Sequence, residues 1–139
     1  MNCQAVSSHG HAIYSLLVRI VLITHEARPA LKPAVRKRLG MLFDGICEKA
    51  GCRLVSTEGT DIHVCLLVAI HPSVTPSRLV NTLKTISSRV IRREFPEILA
   101  EAGTPAFLWH RSYGLTSVNG ASAERLLEYL RDDITEIHR

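Results

Sequence analysis

The sequence predicts an α+β sandwich, an antiparallel sheet with helices over one face, and two kinds of observation point to it. Short β-branched apolar stretches run from Ala12 to Ile23 and from Ile62 to Ile70, as in buried strands. Apolar residues at helical spacing mark one segment on either side of the second stretch and another at the C-terminal end. The resulting order is strand, helix, strand, strand, helix, strand, helix. Two helices separated by a hairpin make the split βαβ plan.

Ala12 to Ile23 carries a single charge, Arg19, and reads as one largely buried strand stopped by Pro29 and Pro33. From Ala34, the residues Val35, Leu39, Leu42, Phe43 and Ile46 form a helical stripe that Gly51 closes. Arg53 to Thr57 is a short strand, Gly59 and Thr60 turn the chain, and Ile62 to Ile70 returns beside it until Pro72. A second helix is predicted from Pro76 to Glu94, with Thr75 as cap, Pro76 at the first position and Pro96 as the stop. Phe107 to Val118 gives one or two strands around Trp109 and Tyr113, broken by Gly120. Ser122 caps the last helix, whose apolar face is Leu126, Leu127, Leu130, Ile134 and Ile137.

The 139 residues suffice for one domain, 1–139, with its own core. With 46% hydrophobic and 22% charged residues, the composition argues against long disorder. The net charge of +4 suits a polyanionic partner. Cys3, Cys47, Cys52 and Cys65 contain no CxxC pair and fit reduced thiols in a cytosol. The apolar run at 12–23 is interrupted by Arg19 and shorter than the roughly 20 residues a bilayer span needs. No small-residue cleavage site follows it. A cytoplasmic protein without a membrane segment is expected.

Strand alternation puts His63, Cys65, Leu67 and Ala69 on one face and Val64, Leu66, Val68 and Ile70 on the other. A His and a Cys so placed can share a metal, or can be a half-buried His beside a small apolar thiol. Tyr129 and Asp133 are one helical turn apart on a flank of the last helix. A phenol there can serve as a covalent nucleophile on phosphorus and the carboxylate can hold a cation. The plain alternative is a half-buried tyrosine with its hydroxyl in water. Lys84, Arg89, Arg92 and Arg93, with Ser87 and Ser88 between, are groups that contact phosphates, or else a solvated helix face. His25, His71 and His110 are isolated in sequence and take no role from spacing.

Five segments recur in one order: Asp61-Ile-His-Val-Cys-Leu-Leu-Val, Leu83-Lys-Thr-Ile-Ser-Ser-Arg-Val-Ile-Arg-Arg-Glu-Phe-Pro, Leu108-Trp-His-Arg-Ser-Tyr, Ser117-Val-Asn-Gly and Glu128-Tyr-Leu-Arg-Asp-Asp. With them the chain resembles, from about Ala12 to Asp133, the transposases of the smallest bacterial insertion sequences, the HUH enzymes with one catalytic tyrosine. The resemblance implies a ferredoxin-like sheet and a C-terminal helix carrying the tyrosine. It implies a homodimer that binds hairpins in single-stranded DNA, then cuts and rejoins the strand during transposition, the tyrosine helix serving the other subunit's site. Tyr129 would form a 5′-phosphotyrosine and free a 3′-hydroxyl. His63 would be the first histidine of the motif, with Cys65 in place of the second. Asp133 stands where the family carries glutamine, so the metal set for Mg²⁺ or Mn²⁺ would be His63, Cys65 and Asp133. Lys84, Ser88, Arg89, Arg92 and Arg93 would meet DNA. A basic Lys-Tyr-Arg common after the first strand reads His25-Glu26-Ala27 here. Because a thiol suits these hard ions poorly, the rival expectation is a catalytically degenerate descendant that binds DNA or regulates. A purely structural dimer is a third.

Overall fold

The computed structural model describes residues 7–9, 12–14, 16–118 and 123–137. β1 (Ser7–His9) and β2 (Ala12–Tyr14) pair with each other as a separate two-stranded ribbon. β3 (Leu17–Thr24), α1 (Pro33–Lys49), β4 (Arg53–Gly59), β5 (His63–Ala69), α2 (Pro76–Glu94), α3 (Pro96–Ala102), β6 (Trp109–Ser117) and α4 (Ala123–Ile137) follow. The main sheet has four strands in the order β4-β5-β3-β6, every neighbouring pair antiparallel.

β3 is central because it is apolar on both faces. Ile20, Val21 and Ile23 are fully buried, the pattern of a strand covered on two sides. On one face, Ile20 and Leu22 join Val64, Leu66 and Val68 of β5 beneath α1 and α2. α1 presents Val35, Leu39, Phe43 and Cys47 to them, and α2 presents Leu79, Val80, Leu83 and Ile91. Ser87 also lies inside this core. Its hydroxyl donates to Leu83 O at 2.5 Å and accepts from Trp109 Nε1 at 2.9 Å, so the buried polar atoms are satisfied. On the opposite face, Val21 and Ile23 pack with Leu130, and Cys65, Ala123, Leu127 and Ile134 lie against them. The C-terminal helix therefore covers the face that α1 and α2 leave open.

Several expectations change. The single strand Ala12 to Ile23 is divided, since Ala12–Tyr14 pairs locally with Ser7–His9 and the central strand starts at Leu17. Hydrophobicity is continuous across that junction and does not report a change of partner. Pro96 ends α2 and also opens α3, the first helical position being one where proline's missing N–H costs nothing. Thr75 precedes α2 in extended conformation without a side-chain cap bond. Phe107 to Val118 resolves into one strand, with a register shift against β3 between Leu22 and Thr24. Gly120 and the Ser122 cap lie outside the described residues. Among the described residues no helix is long and apolar enough to cross a membrane.

Phe43 is fully buried against Trp109, with ring centroids 6.5 Å apart. Phe43→Ala is expected to cost about 3–5 kcal/mol in chemical denaturation. Met41→Ala, on the same helix but 63% exposed, should stay within about 0.5 kcal/mol.

Candidate functional site

His63 is held by the turn before it. Gly59 closes the approach of β4 to β5, and a Cβ there would stand 2.5 Å from His63 O, so a side chain would force the strands apart. Thr60 N–H donates to His63 O at 2.9 Å, while Thr60 Oγ1 meets His63 Nδ1 at 2.8 Å and accepts from Ile62 N–H at 3.3 Å. Asp61 anchors the turn to α1 through Arg36 at 2.9 Å and Lys32 at 3.3 Å. Those two hydrogen bonds, Lys32 first, hold its carboxyl below the usual range. The bond at Nδ1 fixes the ring and leaves Nε2 as the free nitrogen among the described contacts, as in a histidine that ligates a metal or accepts a proton.

The imidazole opens on a cleft of about 310 Å³ lined by Thr60, Ile62, Glu124, Leu127, Glu128 and Arg131. Burial pushes His63 below its ordinary value, Arg131 adds to this and Glu124 opposes it. The ring is thus neutral near pH 7. Cys65 shares its face but lies half-buried among Val21, Leu130 and Ile134. Burial raises its thiol, Arg19 opposing and Glu58 and Glu124 assisting. Without a metal the thiol is therefore an apolar neighbour of these side chains.

Asp133 stands elsewhere. Its Oδ2 accepts from His110 Nε2 at 2.8 Å and from Ser112 Oγ at 3.2 Å, both on β6. The hydrogen bond from His110 is the main cause of a carboxyl held below its ordinary value, with Ser112, His110 and Arg111 adding to it and partial burial opposing. The expected set of His63, Cys65 and Asp133 is therefore not brought together within one chain. The reason is helical phase: Asp133 is two residues from Arg131, roughly 200° around α4 at about 100° per residue. Arg131, Glu124 and Glu128 share the His63 flank, and Asp133 takes the β6 flank. Position 129, one turn before Asp133, falls on that same β6 flank of the helix. The Tyr129 side chain lies outside the described residues. Among the described residues no group of three or more His, Cys, Asp and Glu could hold a metal ion.

The basic helix also divides. Lys84 Nζ donates to His110 O at 2.7 Å and Arg111 O at 3.1 Å and lies 5.8 Å from the centre of the Tyr113 ring. Burial lowers its pKa. Its ammonium ties α2 to β6. Arg89, Arg92 and Arg93 are exposed and Ser88 is half-buried. Arg92 reaches Ser88 O at 3.2 Å and Ala106 O at 3.3 Å. The residue that sequence spacing missed is His110. Alternation along β6 gave a signal, since it puts His110 and Ser112 on one face, but nothing local announces a partner in α4.

Residues 12–133 match the family model described as Transposase IS200 like. The chain belongs to the IS200-like transposase family. The transposases for insertion sequence element IS200 of Salmonella typhimurium and Salmonella typhi are each 23% identical over 129 residues, covering 93% of this chain and 84% of theirs. The crystal structure of a transposase candidate from Deinococcus radiodurans R1 superposes with a TM-score of 0.80 at 23% identity, over 91% of this chain and 96% of that one. A REP-associated tyrosine transposase bound to a REP hairpin shares the fold at a TM-score of 0.53 and 8% identity, over 87% of this chain and 67% of its own.

In this transposase the His63 ring should titrate below its ordinary 6.5 by proton NMR, because burial disfavours the cation. The unfolded chain then binds more protons between the folded midpoint and 6.5, so the neutral ring's contribution to stability is present above that window and is lost as pH falls through it. His63→Gln should flatten the pH dependence of the denaturation midpoint there. An unchanged profile would mean that burial does not govern the ring.

Proposed function

We propose that this transposase cuts and rejoins single-stranded DNA through Tyr129 as a homodimer. The observation that carries the reading is that the family match, 12–133, runs through both β5 with His63 and α4 with Tyr129. The Tyr129 phenol oxygen attacks the scissile phosphorus, a phosphotyrosine bond forms as the bond to the 3′ oxygen breaks, and the phenol proton leaves as the 3′-hydroxyl gains one. Attack by a 3′-hydroxyl on the phosphotyrosine rejoins the strand. Neutral His63, its Nδ1 held by Thr60, presents the lone pair of Nε2 to the site. The partner is single-stranded DNA with hairpins, met through the exposed Arg89, Arg92 and Arg93, with Ser88 beside them. The REP hairpin bound by the tyrosine transposase of the same fold agrees with this choice.

A divalent ion does not fit the residues of one chain. Cys65 is a soft donor that suits these hard ions poorly, and Asp133 Oδ2 is bonded to His110 and Ser112 on β6. On the homodimer reading, His63 of one protomer and Asp133 of the other would be the donors to Mg²⁺ or Mn²⁺, an ion that would neutralise phosphate charge. The flank occupied by position 129 supports the same division of labour. Cys65 favours a second reading, a descendant that keeps DNA binding and has lost cutting.

Incubation with hairpin-bearing single-stranded DNA and Mg²⁺ or Mn²⁺ is expected to give a covalent adduct on denaturing gels, absent from Tyr129→Phe. Mixing Tyr129→Phe with His63→Ala should restore part of it if the site spans two chains. Cys65→His should raise the yield, since imidazole suits these ions better than a protonated thiol. No adduct from Cys65→His with either metal would replace the cutting reading by the binding one. DNA affinity should fall with salt, and Arg92→Ala should reduce the slope of log affinity against log salt by about 0.7. A slope unchanged by Arg92→Ala removes that residue from the DNA surface.

A further inference from the structure

β6 is gripped from both sides at one point. From α2, Lys84 Nζ bonds the carbonyl oxygens of His110 and Arg111. Toward α4, His110, only 6% exposed, and Ser112 both reach Asp133 Oδ2, at 2.8 Å and 3.2 Å. A carboxylate only accepts, so Nε2–H and the hydroxyl are the donors, and Oδ1 takes no bond among the described contacts. Among the described residues, the remaining α4 side chains packed on the sheet core are apolar, with Leu130 buried and Leu127 and Ile134 half-buried. Apolar contact resists lifting of the helix but is non-directional and says little about its rotation. The paired bonds to Asp133 are directional and come from β6, which Lys84 bonds from the α2 side. Position 129 lies about 40° from Asp133 around the helix, so the grip on one sets the other.

We propose that His110 is a positioning residue: through Asp133 it fixes the rotation of α4 on the sheet and thereby where Tyr129 and the free Oδ1 are presented. This rests on the reading of Tyr129 as nucleophile. The donor that counts is Nε2–H, present in the imidazole and in its cation alike, so the grip depends on the presence of a donor at this place.

Hydrogen exchange on the full chain tests the grip without DNA. His110→Ala and Asp133→Ala should each speed exchange of the α4 amides on the order of tenfold, with β3 and β5 amides unchanged. The double variant should do no more than either single, because both remove one interaction. His110→Gln, which keeps a side-chain N–H donor, should recover most of the protection. In the adduct assay His110→Ala should lower the rate constant at saturating hairpin DNA and leave the half-saturating DNA concentration unchanged. Unchanged α4 exchange, additive effects in the double variant, or an adduct rate unmoved by His110→Ala would each overturn the proposal. Absence of an adduct from the unmodified protein would instead sink the cutting reading, and the exchange result would still decide whether the grip exists.

Discussion

Register between the two central strands is the constraint on which the rest of this molecule depends. β3 and β5 pair Ile20 with Leu66 and Leu22 with Val64 on one face, and Val21 with Cys65 and Ile23 with His63 on the other. A slip of one residue would turn His63 into the core of α1 and α2 and carry Leu66 out to α4. Burying an unpaired polar ring there would cost roughly 2 kcal/mol or more. The close approach at Gly59 and the Asp61 anchor to α1 set the turn from which this register runs. The apolar face then enforces it at every second residue.

Charge is arranged around that frame so that the site stays electrically quiet. Asp61 is answered by Lys32 and Arg36, and Glu94 by Arg38 at 2.9 Å, which also joins the end of α2 to α1. These pairs are largely solvated and contribute little stability, and Glu94 also stands 3.9 Å from the exposed Arg93. In the cleft itself Arg131 stands among Glu124 and Glu128 beside an uncharged imidazole. On the proposed reading a phosphate entering it would meet one cation, two carboxylates and the neutral ring, with the balance of positive charge farther out on α2.

Much of this was legible in the sequence, for identifiable reasons. Period-two alternation put His63 and Cys65 together, because a pleated strand leaves no other choice. Helical spacing found α1 and α2, whose buried positions are close to those expected, and α4, where Leu130 is buried and Leu127 and Ile134 are half-buried. Lys84 reads in the sequence as one more cation of a basic stretch, and its bonds to the carbonyls of β6 come into view only in the fold. His110 and Asp133 are 23 residues apart, and neither carries a local sign of the other. The face covered by α4 was also hidden, since an amphipathic stripe says that a helix is covered but not by which side of a sheet.

The separation of core face from chemical face has an evolutionary consequence. Substitution at 63, 65 or 133 touches neither the Phe43 nor the Leu66 layer, so a lineage can shed nuclease chemistry while its protein still folds and still carries its arginines outward. Mobile elements accumulate such copies under drift. A folded copy that binds the hairpin without cutting it would compete with its active relatives for the same DNA. Selection against cutting would then find a repressor already built.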